Sequence, residues 1–382
     1  MAYFTLELKK VIKNTLTFIG IGIILVILFD VLYQNSKVTA QYSSIGNTYE
    51  NIAMAKKNKQ KAQADMKKYP RNSRKYNLAK EEYSYETDEI KDNRAIIKDI
   101  NANNWSQAYT LLKKQNQKLL NHDSEQDPEL KQAIKKEILR FDTLKKANLP
   151  EESDEYPVTG LLFILNCLDN LLPILLTLVL IFILTNLYSE RYSDKLDKVS
   201  LLPSKNIQFT ELVSGFAIGI LILSLVLIVV FGVSSVIFGP GTLKYPTLGV
   251  NIKTNTAEYL PLFDRLVPTL ILQILVLPFL AAFILLVVNI FKSRVNSLLI
   301  GSLIILGGAF LPTIIVPFQK IAQFFPTTYI FSLHVVNGNL ASITRNSQIT
   351  FSMGIFILII WTVILILINL LETKLSSKLK RK

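Results

Sequence analysis

Long apolar runs alternate with polar stretches along this chain, and six of the runs carry no polar face at all. They lie near Thr15–Tyr33, Asn170–Tyr188, Leu212–Phe238, Leu266–Phe291, Ser297–Pro317 and Phe351–Leu371. A helix on the surface of a soluble domain shows only an apolar stripe, so continuous apolarity over about 20 residues predicts helices that cross roughly 30 Å of hydrocarbon. Segment 158–188 is too long for one straight span. Counting back from Tyr188 reaches Asp169, so Thr159–Leu168 is expected to lie along the interface as a short amphipathic or re-entrant helix.

Between the first and second runs the pattern changes to helical periodicity on a polar background. Tyr76, Tyr83, Ile90 and Ile97 recur every seven residues, with Ala79 and Ile100 on the same side, which predicts a long helix with a coiled-coil-like seam. Ile52, Ala55, Ala62 and Met66 repeat more weakly before Pro70, so Ile45 to Tyr69 should pair with it as an antiparallel hairpin. The tyrosines are read as part of that seam rather than as a binding stripe. Asn103 or Asn104 can cap a third helix through Trp105, Tyr109 and Leu112. Asp127-Pro128-Glu129 gives an N-cap, a first-position proline and an acidic first turn for a fourth, with Ile134, Ile138 and Phe141 on one face. Residues 37–157 thus form a helical domain of about 120 residues with 23 Lys/Arg and 19 Asp/Glu. Its lysine runs read either as solvated faces or as a patch for anionic headgroups and wall polymers.

Charge then orients the scheme. The segments 1–14, 189–207, 292–296 and 372–382 carry 14 basic residues in 49 positions, whereas 239–265 and 318–349 carry 5 in 59. The positive-inside tendency therefore predicts a multi-pass protein of the cell (plasma) membrane with both termini cytoplasmic. The expected fold is an all-α integral membrane protein: 1–36 as N-terminus and first span, 37–157 as an extracellular helical domain, and 158–382 as spans two to six. The first span resembles a signal peptide, with Val38-Thr39-Ala40 as a candidate cleavage site. Its length and the polar or bulky residues Tyr33 to Lys37 favour an uncleaved anchor.

Composition removes several functions. A net charge of +13 would point to nucleic acid in a soluble protein, but here it follows from the basic inner loops, and no nucleic-acid partner is expected. Cys167 is alone, and His122 and His334 stand apart, so neither a disulfide nor a transition-metal site is predicted. Phosphate-loop, H-E-x-x-H and G-x-S-x-G patterns are missing, and no carboxylate pair in the spans suggests a proton relay. Asp30 and Asp169, at the outer ends of their spans, are candidate transport-path carboxylates or plain solvated helix ends. Gly215 and Gly219 form a small-xxx-small pair for helix packing, and Pro268, Pro278, Pro312 and Pro317 are expected to kink spans four and five.

Energy for transport would then come from a partner, which directs attention to the loop after span two. It carries Glu190-Arg191, a short amphipathic stretch, and Leu201-Leu202-Pro203-Ser204-Lys205. In this order and spacing the chain resembles the permease subunits of bacterial type-2 ABC exporters, which place an acidic-basic pair, a short helix and a Leu-Leu-Pro ending before span three. It lacks the glycine that members often carry near Lys195. The six-span layout also resembles that family, as does the stretch from Pro317 to Tyr329, similar to its re-entrant elements. The resemblance implies that loop 189–207 docks on a cytosolic ABC ATPase, which would hold ATP and Mg, this chain needing no cofactor of its own. It also implies a second permease subunit beside this one. Leu196, Val199 and Leu202 fall at i, i+3 and i+6 and can present an apolar ridge. Glu190, Arg191, Lys198 and Lys205 supply charge, and Pro203 ends the helix. The expected function is export of an amphipathic peptide, antimicrobial or lipid-like substrate, with no catalysis on this chain. The competing expectation is an extracellular sensor or scaffold that binds a peptide or wall component through 37–157, with the spans as anchor. A wall- or lipid-modifying enzyme is the third.

Overall fold

The computed structural model describes residues 2–122, 128–169, 171–192 and 207–379. Six helices are long and apolar enough to cross a membrane: α2 (Thr15–Val38), α8 (Leu171–Ser189), α9 (Ile207–Phe238), α10 (Leu262–Phe291), α11 (Arg294–Ile314) and the first 22 residues of α15 (Phe351–Leu379). The shortest, 19 residues, spans about 28 Å at 1.5 Å per residue, enough for the hydrocarbon layer. α8 and α10 are the enclosed pair, 61 % and 67 % buried against 22 % for α2, so they form the axis on which the others pack. This is the expected multi-pass helical membrane protein, with span boundaries a few residues from those read in the sequence. Span three starts at Ile207 rather than Leu212, and span five stops at Ile314 rather than Pro317. The stop has a local cause: Ile315 is extended, and Pro317 then opens a separate short helix, α12 (Val316–Gln319).

The first residues, which carried no element in the sequence reading, form α1 (Ala2–Lys13) against α8 and α9, with Val11 and Glu7 buried. Asn14 separates it from α2 by capping Leu16 N–H with its side chain.

The inserted segment has the four expected helices, α3 (Ser44–Lys68), α4 (Arg74–Asn101), α5 (Trp105–His122) and α6 (Pro128–Ala147). Ser43 and Ser73 cap α3 and α4 by accepting from Gly46 N–H and Tyr76 N–H. The α3–α4 seam holds Ile52, Ala55, Ala62, Ala79 and Ile90 as read. It also buries Glu86 and Asn93, which occupy the second set of heptad positions and were not foreseen. Asn58 donates to Glu86 at 3.0 Å and Gln115 of α5 to Asn93 at 3.2 Å, so both are satisfied. Near the base Ile96, fully buried, replaces the expected Ile97 as the core residue.

As expected, 160–169 forms a separate short helix, α7 (Gly160–Asp169), lined by buried Leu162, Phe163 and Leu165. One feature departs from an all-helical fold. The loop after α9 contains an antiparallel hairpin, β1 (Pro246–Asn251) and β2 (Thr256–Pro261), whose turn is tied by Asn251 accepting from Lys253 N–H. It lies against α6 and against α14 (Asn339–Thr344), part of the chain that leads into α15. Gly338, at φ +74°, brings its backbone against Val250 O, and Val250 N–H donates to Asn337 O at 2.7 Å.

Between α11 and α15 the backbone is broken into short turns, and this is the stretch read as re-entrant. Trp361, ten residues or about 15 Å into α15, donates to Phe324 O at 3.0 Å, so the segment dips well below the start of that helix. Its freed carbonyls are satisfied internally: Tyr329 donates to Gln323 O, Thr328 to Ala322 O, and Asn346 to Gln319 O. Irregular backbone among apolar helices requires such enclosure.

Candidate functional site

Of the loop residues read as a coupling element, Glu190 and Arg191 fall in a short 3-10 turn, Glu190–Tyr192, directly after α8. Leu196, Lys198, Val199, Leu202, Pro203 and Lys205 lie outside the described residues. The structure shows how both ends of that loop are held. Lys10 Nζ lies 2.9 Å from Glu190 and 3.3 Å from Glu7, joining the loop to α1. Burial opposes the charge on Lys10, but the two carboxylates outweigh it and hold its pKa above the ordinary lysine value.

Two residues on, Tyr192 OH donates to Asn289 Oδ1 at 3.4 Å, Asn289 Nδ2 to Asn369 Oδ1 at 3.1 Å, and Asn369 Nδ2 to Ala282 O and Leu365 O. Both asparagines are fully buried in the α10–α15 contact. At the far end of the loop, Tyr188 OH donates to Glu211 O at 3.1 Å and fixes the start of α9 to the end of α8. Gly215 is what admits that tyrosine, since a Cβ there would collide with Tyr188 OH and meet Ala281; Gly219 packs on Leu277. The two glycines thus face α8 and α10 of the same chain.

The candidate carboxylates are not brought together. Asp30 is exposed on α2, while Asp169 lies 3.7 Å from His334 in a cavity of about 240 Å³ between α7, β1 and α13 (Ser332–Val336). Asn166, Thr247 and Asn337 share that cavity with it.

A third cluster escaped the sequence reading altogether. The acidic run 151–155 is the junction of the inserted domain with the spans. Arg140 of α6 lies 3.4 Å from Glu151 and 3.2 Å from Asp154, and donates to Glu152 O at 2.7 Å. Glu151 accepts from Ser44 N–H and Oγ at the start of α3. Tyr245 OH donates to Glu152 O at 2.8 Å, Thr159 donates to the Glu152 carboxylate, and Asn35 of α2 donates to Pro157 O. Burial pushes the Asp154 carboxyl up to about 6 against the opposing pull of Arg140, and raises Glu151 as well. The only sequence signal was a charge run beside Pro150, which does not say which cation answers it.

Among the described residues no group of three or more His, Cys, Asp or Glu could hold a metal ion. No protein-family model, curated protein or solved structure matches this chain.

Proposed function

We propose that this chain is the permease subunit of an ATP-driven ABC exporter, moving an amphipathic peptide, antimicrobial or lipid-like substrate outward. The observation that carries the reading is the anchoring of loop 193–206 at both ends. Its entry is tied through Glu190 and Tyr192 to α1, α10 and α15, and its exit through Glu211 to α8. A docking force on such a loop would be transmitted into the span core, as a lever requires and a mere connector does not. In this reading the face that bears both termini is cytoplasmic, the inserted domain lies outside the plasma membrane, and ATP and Mg bind a separate cytosolic ATPase. A second permease half completes the path.

The experiment is copurification of the ATPase with the full chain, followed by ATP hydrolysis in nanodiscs. Leu202→Ala should remove a docking contact of about 1–3 kcal/mol and weaken assembly by about tenfold or more. Arg191→Glu should weaken it modestly and in a salt-dependent way. Wild-type assembly and turnover in both variants would sink the coupling assignment.

A membrane-anchored sensor or scaffold is the second reading, favoured by a cleft of about 850 Å³ in the inserted domain. It opens between α3, α4, α5 and α6 and is walled by Asn47, Asn51, Gln115, Asn116 and Phe141. Failure of any ATPase to copurify, with ligand capture by this cleft, would replace export by sensing.

A further inference from the structure

The α3–α4 hairpin holds a second, chemically different groove, of about 440 Å³. Lys56 and Lys59 reach it from α3, and Lys91 and Arg94 from α4. Each pair is spaced i, i+3, so both of its cations share one helix face, and the antiparallel pairing sets the two faces side by side. No carboxylate lines the groove; Gln60, Gln63 and Thr87 supply the remaining polar groups.

This arrangement is not what the rest of the domain does with its lysines. Lys113 pairs with Asp142 at 2.7 Å and Lys118 with Asp92 at 3.3 Å, yet none of the four groove cations has an ion-pair partner among the described residues. Lys59 is held instead over the Tyr83 ring, 4.7 Å from its centroid. Four unneutralised cations across one seam repel one another and disfavour the hairpin. A multivalent anion reverses the sign of that interaction, and the Gln60 and Gln63 amides beside ammonium and guanidinium groups suit phosphate oxygens.

We propose that this groove is a binding site for a soluble phosphate-bearing polyanion. Its place on the hairpin argues against headgroups of the chain's own bilayer. Lys59 is fifteen residues beyond Ser44, about 22 Å along the α3 axis from the point where the chain leaves α2. The seam residues at this level, Ile52, Ala55 and Ile90, are buried but separate from the continuous hydrophobic core, which ends on α4 at Ile96 and Ile100. The groove therefore lies on a part of the hairpin outside that continuous core. The site is independent of the export reading.

The test uses the full chain in nanodiscs of neutral phosphatidylcholine, titrated with inorganic tripolyphosphate by calorimetry. One saturable site per chain is expected, weakening as salt rises. Lys59→Gln with Arg94→Gln should lower affinity by about tenfold or more. Lys145→Gln with Lys146→Gln removes the same charge from the exposed end of α6 and should change affinity by less than about twofold. Absence of saturable binding, or equal losses in both double variants, overturns the site. Discs containing anionic phosphatidylglycerol distinguish the source of phosphate. Unchanged affinity is expected, and about tenfold weaker binding there would assign the groove to the bilayer's own headgroups and overturn the soluble ligand.

Discussion

Asn289 and Asn369 are 80 positions apart, each near the end of an apolar run where a polar residue passes as an interfacial one, and each is fully buried. Their amide pair is expected to behave as a unit. Asn369→Leu takes away the Oδ1 acceptor of the Asn289 Nδ2 group among apolar helices and should destabilise the chain by about 1–2 kcal/mol. Adding Asn289→Leu should restore part of that loss, because both buried amides are then gone and only the part-buried Tyr192 hydroxyl loses an acceptor. Thermal unfolding of the two single variants and the double variant in detergent measures the coupling, and strictly additive losses would show that the pair does not interact. The same scale explains why Arg140 went unread. Glu137, one turn earlier on α6, is a local partner at 3.6 Å, but Glu151 and Asp154 are more than ten residues away, and only the return of α6 beside the linker picks them from the domain's other acids.

At the scale of elements, helices with strong periodicity were legible and the irregular parts were legible only by kind. Ser43 and Ser73 as caps, Pro70 as a break and the seven-residue repeat define α3 and α4 locally, since each signal acts within a few residues. The β1–β2 hairpin did carry a signal, alternating Leu248, Val250 and Ala257, Tyr259 around a Thr- and Asn-rich turn. Each strand has only six residues, and an isolated two-stranded hairpin is marginal without support. That support is tertiary, coming from α6, α14 and the backbone bond from Val250 to Asn337. Gly338→Ala places a Cβ against Val250 O at a positive φ and should destabilise the hairpin by about 1–3 kcal/mol. Limited proteolysis at the 252–255 turn should then accelerate while the spans stay protected. An unchanged cleavage rate would mean that the hairpin does not depend on this contact.

For the whole molecule, the contacts place both loop ends, α1 and the last part of α15 on one face. The inserted domain joins the core through 150–157 at the opposite ends of α2, α7 and α9. Single cysteines at Lys113 and Lys198 should therefore label from opposite sides of a sealed vesicle. Native Cys167 is buried at 2 % exposure and gives little background. Labelling of both from one side would reject six crossings. Local pattern alone was enough for six apolar helices of spanning length, for the four-helix insert and for a separate short helix near 160–169. Those follow from apolar length, periodicity and caps, which are properties of contiguous residues. The enclosure of α8 and α10, the role of 150–157 as a junction and the tethering of the loop ends by Lys10, Tyr192, Asn289 and Asn369 arise only in the folded chain. Each of these depends on which distant surfaces meet. A hydrogen bond or ion pair fixes that choice through the penalty for leaving a polar group buried and unpaired, and no local pattern records it.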